Sequence, residues 1–205
     1  MFKPKDTKRK TLTREILEWV LTIVAAVVLA IPIRAFGFEL VRVDGKSMDD
    51  TLANGEIMFV TKYDYASNWL CFPWQDAETK ERAARVTTGG NPQRFDIVIC
   101  RYPGRGDTNF VKRIVGLPGD TVAIRNGYLY VNEIRYDEPY ISDQYREGWL
   151  NTFGPYTVPA GEYFVMGDHR NNSNDSRSQG TISRDMIIGH VRIVLYPFNV
   201  LRGIE

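Results

Sequence analysis

The chain has 205 residues, of which 26 are basic and 25 are acidic, and its net charge is +1. This length allows one compact domain with a modest appendage, and the balanced charge excludes a nucleic-acid-binding protein that depends on a strongly basic surface. Two cysteines also exclude a small domain that disulfides hold together.

The first part of the chain concentrates positive charge next to an apolar segment. Residues 1–14 contain six basic side chains and one acidic side chain, which gives them a charge of +5. Residues 16–33 are apolar except for Glu18 and Thr22, and a helix of that length extends about 27 Å, close to the hydrocarbon thickness of a bilayer. We therefore predict a cytoplasmic tail at residues 1–14 and a transmembrane anchor at residues 15–36.

A cleavable signal peptide begins in the same way, so the anchor has a competing interpretation. Ala35-Phe36-Gly37 offers small residues at a cleavage site. Against this, the apolar run is longer than the usual core of a signal peptide, and Arg34 lies between the run and the site. These departures favour an uncleaved anchor, and self-cleavage near Ala35 stays open.

After the anchor, short runs of β-branched and aromatic residues alternate with turn residues, which predicts a mainly β domain. The predicted strands cover residues 38–43, 56–61, 95–102, 110–115, 121–124, 128–131, 161–166 and 186–196. Asn126-Gly127 separates two of these runs, and this dipeptide favours a tight hairpin.

Residues 63–92 differ from their surroundings and are predicted to form an insertion in the β domain. They are rich in aromatic residues at first and then charged. Such aromatic side chains suit either a bilayer interface or a small core of the insertion's own. The insertion also contains Cys71, which is either free or bonded to Cys100.

The predicted strand at residues 110–115 carries two adjacent cations, Lys112 and Arg113, among apolar residues. Because side chains alternate between the two faces of a strand, each cation has apolar neighbours on its own face. At least one of them is therefore expected to be desolvated. A desolvated lysine can lose its proton near neutral pH and act as a general base, whereas in the alternative interpretation the ammonium group of Lys112 reaches water.

Residues 167–177 form the densest polar cluster of the chain, directly after an apolar strand. Short hydrogen-bonding side chains are typical of a loop that is fixed by bonds to its own backbone. Asp168, Arg170, Asp175 and Arg177 can form ion pairs within it. With two histidines, no HExxH motif and widely spaced cysteines, we predict neither a metal nor another cofactor.

Two serine-based catalytic systems fit the remaining residues. The first is a Ser-His-Asp arrangement that uses His169, and the second pairs a serine with a lysine. A lysine must be neutral to accept the serine proton, and an ordinary pKa near 10.4 leaves it mostly protonated at neutral pH. Ser47 lies on a polar loop between two predicted strands, and the apolar flanks of Lys112 suit the second system.

Four blocks of the sequence resemble, in the same order, the conserved blocks of bacterial type I signal peptidases. The blocks are residues 45–52, 94–98, 111–120 and 167–177. The resemblance implies a mainly β fold of coiled antiparallel sheets after one N-terminal transmembrane helix, with residues 37–205 as an extracytoplasmic catalytic domain. It also implies a serine endopeptidase that cleaves signal peptides from exported preproteins at the outer face of the membrane.

The resemblance further implies a role for each matching residue. Ser47 would be the nucleophile and its backbone N–H an oxyanion donor, Lys112 would be the general base, and Ser173 would orient the lysine. Met48 and Asp49 would contact the substrate. Four further residues near the site would be mainly structural: Arg113, Asp168, Asp175 and Arg177. The partners would be signal peptides with small residues before the cleavage site and the lipid bilayer, and no nucleic acid.

Three residues depart from the family's pattern. Asp50 occupies a position where proline is usual, His169 replaces a common asparagine, and Gly45 stands where some relatives have a serine that donates to the oxyanion. Two alternatives therefore remain open. One is a protease of the same fold that uses Ser47 with His169, and the other is a non-catalytic, membrane-tethered β module that binds exported chains.

Overall fold

The computed structural model describes residues 12–32, 37–64, 67–68, 86–87, 90–106, 108–146 and 152–204. It begins with helix α1, Leu12–Pro32, which starts within the tail predicted at residues 1–14, and residues 33–36 of the predicted anchor lie outside the described residues. Among the described residues, no helix is both long and apolar enough to cross a membrane. Most of the predicted basic tail, and Ala35 with Phe36, lie outside this part of the chain.

The rest of the described chain is mainly β, as predicted. Its strands are β1 Phe38–Arg42, β2 Ile57–Thr61, β3 Ser67–Asn68, β4 Val86–Thr87, β5 Ile97–Cys100, β6 Phe110–Gly116, β7 Thr121–Arg125, β8 Tyr128–Val131, β9 Ile134–Arg135, β10 Phe153–Thr157, β11 Glu162–Met166, β12 Ile182–Ser183, β13 Ile187–Tyr196 and β14 Arg202–Gly203. The short helix α2 covers Ser176–Gln179, and 3-10 helices cover Asp143–Tyr145, Arg184–Met186 and Phe198–Val200.

The strands form two larger antiparallel sheets. The first has the order β1-β2-β13-β5-β6-β11-β12, with β14 paired to β13, and the second has the order β10-β7-β8-β9. Strand β13 pairs with both β2 and β5, and its register shifts in each pairing. Such bulges bend a strand and increase its twist, so that one long strand can follow the curvature of a coiled sheet.

The register of the first sheet places Lys112 and Arg113 on an interior strand. Strand β6 lies between β5 and β11, and Lys112 is opposite Val98 while Arg113 is opposite Met166. The chain leaves β11 directly after Met166, so the polar loop at residues 167–177 begins beside Arg113. The fold thus joins two blocks that are far apart in the sequence.

Several local predictions can be compared with the structure. The hairpin of β7 and β8 is confirmed, and its turn has positive φ angles of 52° at Asn126 and 81° at Gly127, as a tight turn of this type requires. Cys100 is buried. Cys71 and most of the predicted insertion at residues 63–92 lie outside the described residues, so both the disulfide and the insertion stay predictions.

Candidate active site

Ser47 lies in a compact turn, residues 47–52 (the Ser47 turn), whose two apolar residues are buried in the core. The side chains of Met48 and Leu52 are buried in the same hydrophobic cluster, and the amides of Thr51 and Leu52 donate to the Met48 carbonyl oxygen at 3.0 and 2.8 Å. Burial of these two side chains determines which way the turn faces. Met48 is only 2% exposed, and its contact with substrate stays a prediction.

The structure brings Ser47 and Lys112 together. Lys112 Nζ lies 2.7 Å from Ser47 Oγ and 3.0 Å from the Val111 carbonyl oxygen. Lys112 is 1% exposed, so the alternative in which its ammonium group reaches water is wrong. Arg113 is equally buried, which means that both cations of the strand are desolvated.

Burial changes the acid–base chemistry of this lysine. It lowers the pKa of Lys112, because the ammonium form loses the hydration that stabilises it, while the negative charges of Asp175 and Asp168 partly offset this effect. Burial also raises the pKa of the Cys100 thiol to about 12, so this neighbour is uncharged at neutral pH. A neutral Lys112 amine at hydrogen-bond distance can accept the proton of Ser47 Oγ.

Ser173 lies near the carbonyl oxygen of Ser47 and, within the described residues, makes no hydrogen bond to Lys112. Its Oγ is buried and makes no hydrogen bond of ordinary geometry within the described residues, although it is near enough to the Asp175 carboxylate to help lower that pKa. A Cβ atom added to Gly167 would lie 2.3 Å from both Ser173 Oγ and the Ser47 carbonyl oxygen. Only a glycine at residue 167 therefore lets the two serines approach each other this closely.

Arg113 and Asp168 form a buried, bidentate ion pair behind the turn. Arg113 Nη2 donates to Asp168 Oδ2 at 2.8 Å and Arg113 Nε donates to Oδ1 at 3.0 Å. Thr51 Oγ1 donates to the same carboxylate at 2.5 Å, and the ring of Tyr140 lies 3.8 Å from the guanidinium carbon. The pair therefore ties the Ser47 turn to β6 and to the polar loop.

A second ion pair fixes the polar loop from within. Arg177 Nη2 donates to Asp175 Oδ2 at 2.8 Å and to the Arg170 carbonyl oxygen at 2.7 Å. Burial alone raises the pKa of Asp175, but the hydrogen bonds and charge of Arg177 outweigh it, and the net effect is a lowered pKa. Asp175 Oδ2 also accepts from the Gly167 amide at 3.1 Å, so both ends of the loop meet at one carboxylate.

One element of the site, the segment of residues 138–146, was not predicted from the sequence. Glu138 is buried and forms an ion pair with Arg170, and Arg146 Nη2 donates to the Glu138 carbonyl oxygen at 2.8 Å. The segment lies across the polar loop and the Ser47 turn. Two acidic residues and two tyrosines in a region without periodicity gave no signal that could have placed it there.

His169 is close to the turn, but within the described residues its ring makes no hydrogen bond to the hydroxyl of Ser47. Its Nδ1 lies 3.0 Å from the Lys46 carbonyl oxygen and 3.5 Å from Asp49 Oδ2, and its ring stacks on Tyr145 with 3.8 Å between centroids. Its backbone amide donates to the Ser47 carbonyl oxygen at 3.1 Å. The contact to Ser47 Oγ comes from Lys112 instead. The described residues contain no cluster of His, Cys, Asp or Glu that could hold a metal ion.

Comparisons with known proteins relate most of the chain to one family. The family described as "Signal peptidase, peptidase S26" matches residues 16–196. Signal peptidase I of Bacillus licheniformis is 39% identical over 98% of this chain and 98% of its own, and signal peptidase I T of Bacillus subtilis is 40% identical over 97% and 93%. A crystal structure of a signal peptidase I from Enterococcus faecalis is 35% identical, covers 49% of this chain and 97% of that chain, and gives a TM-score of 0.43.

Proposed function

The chain belongs to the signal peptidase family, peptidase S26, and from that membership we propose that this protease cleaves signal peptides from exported preproteins, with Ser47 as nucleophile and Lys112 as general base. The observation that carries the proposal is the 2.7 Å contact between Ser47 Oγ and the buried Nζ of Lys112. A serine is activated by a neutral base within this distance.

The reaction follows from this geometry in two steps. As Ser47 Oγ attacks the scissile carbonyl carbon, its proton passes to the neutral Nζ of Lys112, and the resulting ammonium group protonates the leaving amine as the C–N bond breaks. An ester on Ser47 remains. Water then attacks the ester and gives its proton to the neutral lysine, which returns it to Ser47 Oγ as the ester bond breaks.

The neighbouring residues support these steps without reacting. The Ser47 backbone N–H is the proposed donor to the negatively charged oxygen that forms in each step. Ser173 is the proposed orienting hydroxyl for Lys112, since its Oγ is buried beside the Ser47 carbonyl oxygen. Arg113, Asp168, Asp175 and Arg177 are structural, because their side chains pair with one another and not with Ser47 Oγ.

The substrate we propose is an extended segment of a preprotein with small residues before the cleavage site. An extended segment can pair with exposed backbone as an added strand, and shallow pockets then select small side chains. Asp49 is half-buried, two residues after Ser47, and is the proposed side-chain contact.

We also propose that α1 and its flanking residues anchor the protein in a bilayer, with the N-terminus in the cytoplasm and residues 37–205 outside. Large apolar side chains are exposed along α1 from Ile16 to Ile31. The β domain exposes apolar side chains as well, among them Phe38, Leu40, Phe198 and Leu201. Water is a poor solvent for this much apolar surface, whereas a lipid bilayer accommodates it.

Incubation of the detergent-solubilised full chain with a preprotein tests the function. We expect cleavage at one site after small residues, and we expect the Ser47→Ala variant to fold normally but to leave the preprotein intact, because it retains the site but lacks the nucleophile. The measurement is the appearance of mature protein on a gel, with the new N-terminus determined by mass spectrometry. Binding of the preprotein without Ser47-dependent cleavage would support the non-catalytic β module instead.

A further inference from the structure

Asp50 has an unusual backbone conformation three residues after Ser47. Its φ angle is +84°, a region that residues with a side chain rarely adopt and that costs free energy unless surrounding contacts maintain it. Aspartate and asparagine tolerate this region better than most residues because their short side chains can hydrogen-bond nearby. The position therefore needs a contact that compensates for the strain.

The side chain of Asp50 supplies such a contact. Asp50 Oδ2 accepts a hydrogen bond from the Ser142 backbone amide at 2.7 Å, and this bond links residues 92 positions apart in the sequence. The neighbouring residues of the turn are held elsewhere. Met48 and Leu52 are buried in the core, and Thr51 donates to Asp168. Asp50 thus connects the outer edge of the turn to residues 138–146.

Residues 138–146 are themselves held in place by an ion pair, hydrogen bonds and a buried side chain. Glu138 at one end is buried and paired with Arg170, and Arg146 at the other end donates to the carbonyl oxygens of Glu138 at 2.8 Å and Ile141 at 3.3 Å. The side chain of Ile141, next to Ser142, is buried. A segment with both ends and its middle fixed can restrain the turn that binds to it.

The same segment reaches the Ser47 turn by a second route. Tyr145 stacks on the ring of His169, and the backbone amide of His169 donates to the Ser47 carbonyl oxygen at 3.1 Å. The turn therefore contacts residues 138–146 directly through Asp50 and indirectly through His169. Two supports on different sides of Ser47 restrict rotation of the turn, which would otherwise move Oγ away from Lys112.

We propose that Asp50 is a positioning residue, which holds the Ser47 turn against residues 138–146 so that Ser47 Oγ stays within reach of Lys112. This inference rests on the proposed catalytic roles of Ser47 and Lys112. Asp50 itself touches no reacting atom. It acts through the backbone of the turn, and its contribution is to keep the nucleophile in the reactive geometry.

Two substitutions separate the backbone conformation of Asp50 from its hydrogen bond. Asp50→Asn keeps both an acceptor oxygen and tolerance of positive φ, and it is the matched control. Asp50→Gly keeps the conformation but removes the acceptor.

We expect Asp50→Asn to retain kcat within about threefold and Asp50→Gly to lose about tenfold to a hundredfold in kcat with little change in KM. Because Lys112 is untouched, the pH dependence of the residual activity stays that of the wild type. A thermal unfolding midpoint close to the wild-type value in Asp50→Gly excludes a general loss of stability as the cause.

Amide hydrogen exchange provides a readout that does not depend on activity. In Asp50→Gly we expect faster exchange at Ser142, Thr51 and Leu52 than in Asp50→Asn, because the turn has lost its outer support. Unchanged exchange, or unchanged kcat, in Asp50→Gly would overturn the inference. Cleavage that persists in Ser47→Ala would instead contradict the proposed function, and the exchange result would still decide whether Asp50 holds the turn.

Discussion

Replacing Lys112 by methionine is expected to reduce kcat/KM for preprotein cleavage by about a thousandfold or more. Methionine has a similar length and suits a site that is 1% exposed, so the fold is retained while the base is removed. In the wild type the acceptor, Lys112 Nζ, lies 2.7 Å from Ser47 Oγ. Without it, no base accepts the hydroxyl proton when the oxygen attacks the substrate. The measurement is the steady-state rate on a preprotein, with circular dichroism to verify folding.

His169→Asn is the matched control for this experiment, because it changes the only other candidate base. We expect it to keep activity within about tenfold, since the His169 ring contacts the Lys46 carbonyl oxygen and Tyr145 and not Ser47 Oγ. The opposite pattern, full activity in Lys112→Met and none in His169→Asn, would replace the Ser-Lys mechanism with a Ser-His mechanism.

Replacing Asp168 by asparagine is expected to lower the free energy of unfolding by about 3 kcal/mol or more. The carboxylate accepts hydrogen bonds from Arg113 and from Thr51, and the side chains of the ion pair are 1% and 0% exposed. The substitution leaves the guanidinium charge of Arg113 buried without a counter-ion, and it cannot return to water without unfolding the sheet. Urea denaturation of the variant in detergent gives the change.

Glu133→Gln provides the comparison for a surface ion pair. Glu133 pairs with Arg125 at 2.7 Å, but these side chains are 67% and 46% exposed, so we expect a change within about 1 kcal/mol. Equal effects of the two substitutions would mean that burial does not determine the contribution of the Arg113–Asp168 pair. That result would remove the structural role we propose for these residues.

Much of the β architecture follows from local sequence patterns. The alternation of apolar residues located β1, β2, β5, β6, β11 and β13, and Asn126-Gly127 located the hairpin, because strand formation and tight turns depend on neighbouring residues. Strands β9, β10 and β12 were not predicted. They are short or contain Gly and Pro, and they form because a partner strand is already in place.

The site could be predicted only in part, because its geometry depends on pairings across long distances in the sequence. The apolar flanks of Lys112 indicated burial, and the resemblance to a family suggested its pairing with Ser47. The Glu138–Arg170 ion pair and the Asp50–Ser142 contact gave no local signal. Each of these two contacts joins segments that are far apart in the sequence. The sheet register and close approaches between backbone segments, such as the one at Gly167, bring those segments together.

The pH dependence of kcat/KM for preprotein cleavage tests the central claim, that a neutral Lys112 activates Ser47, most directly. Burial lowers the pKa of Lys112, and only its neutral form accepts a proton. Activity should therefore rise with increasing pH through an apparent pKa below the ordinary lysine value of about 10.4 and level off above it. A profile that is flat from about pH 6 to 10, or one whose rise is centred near 10.4, would contradict the account.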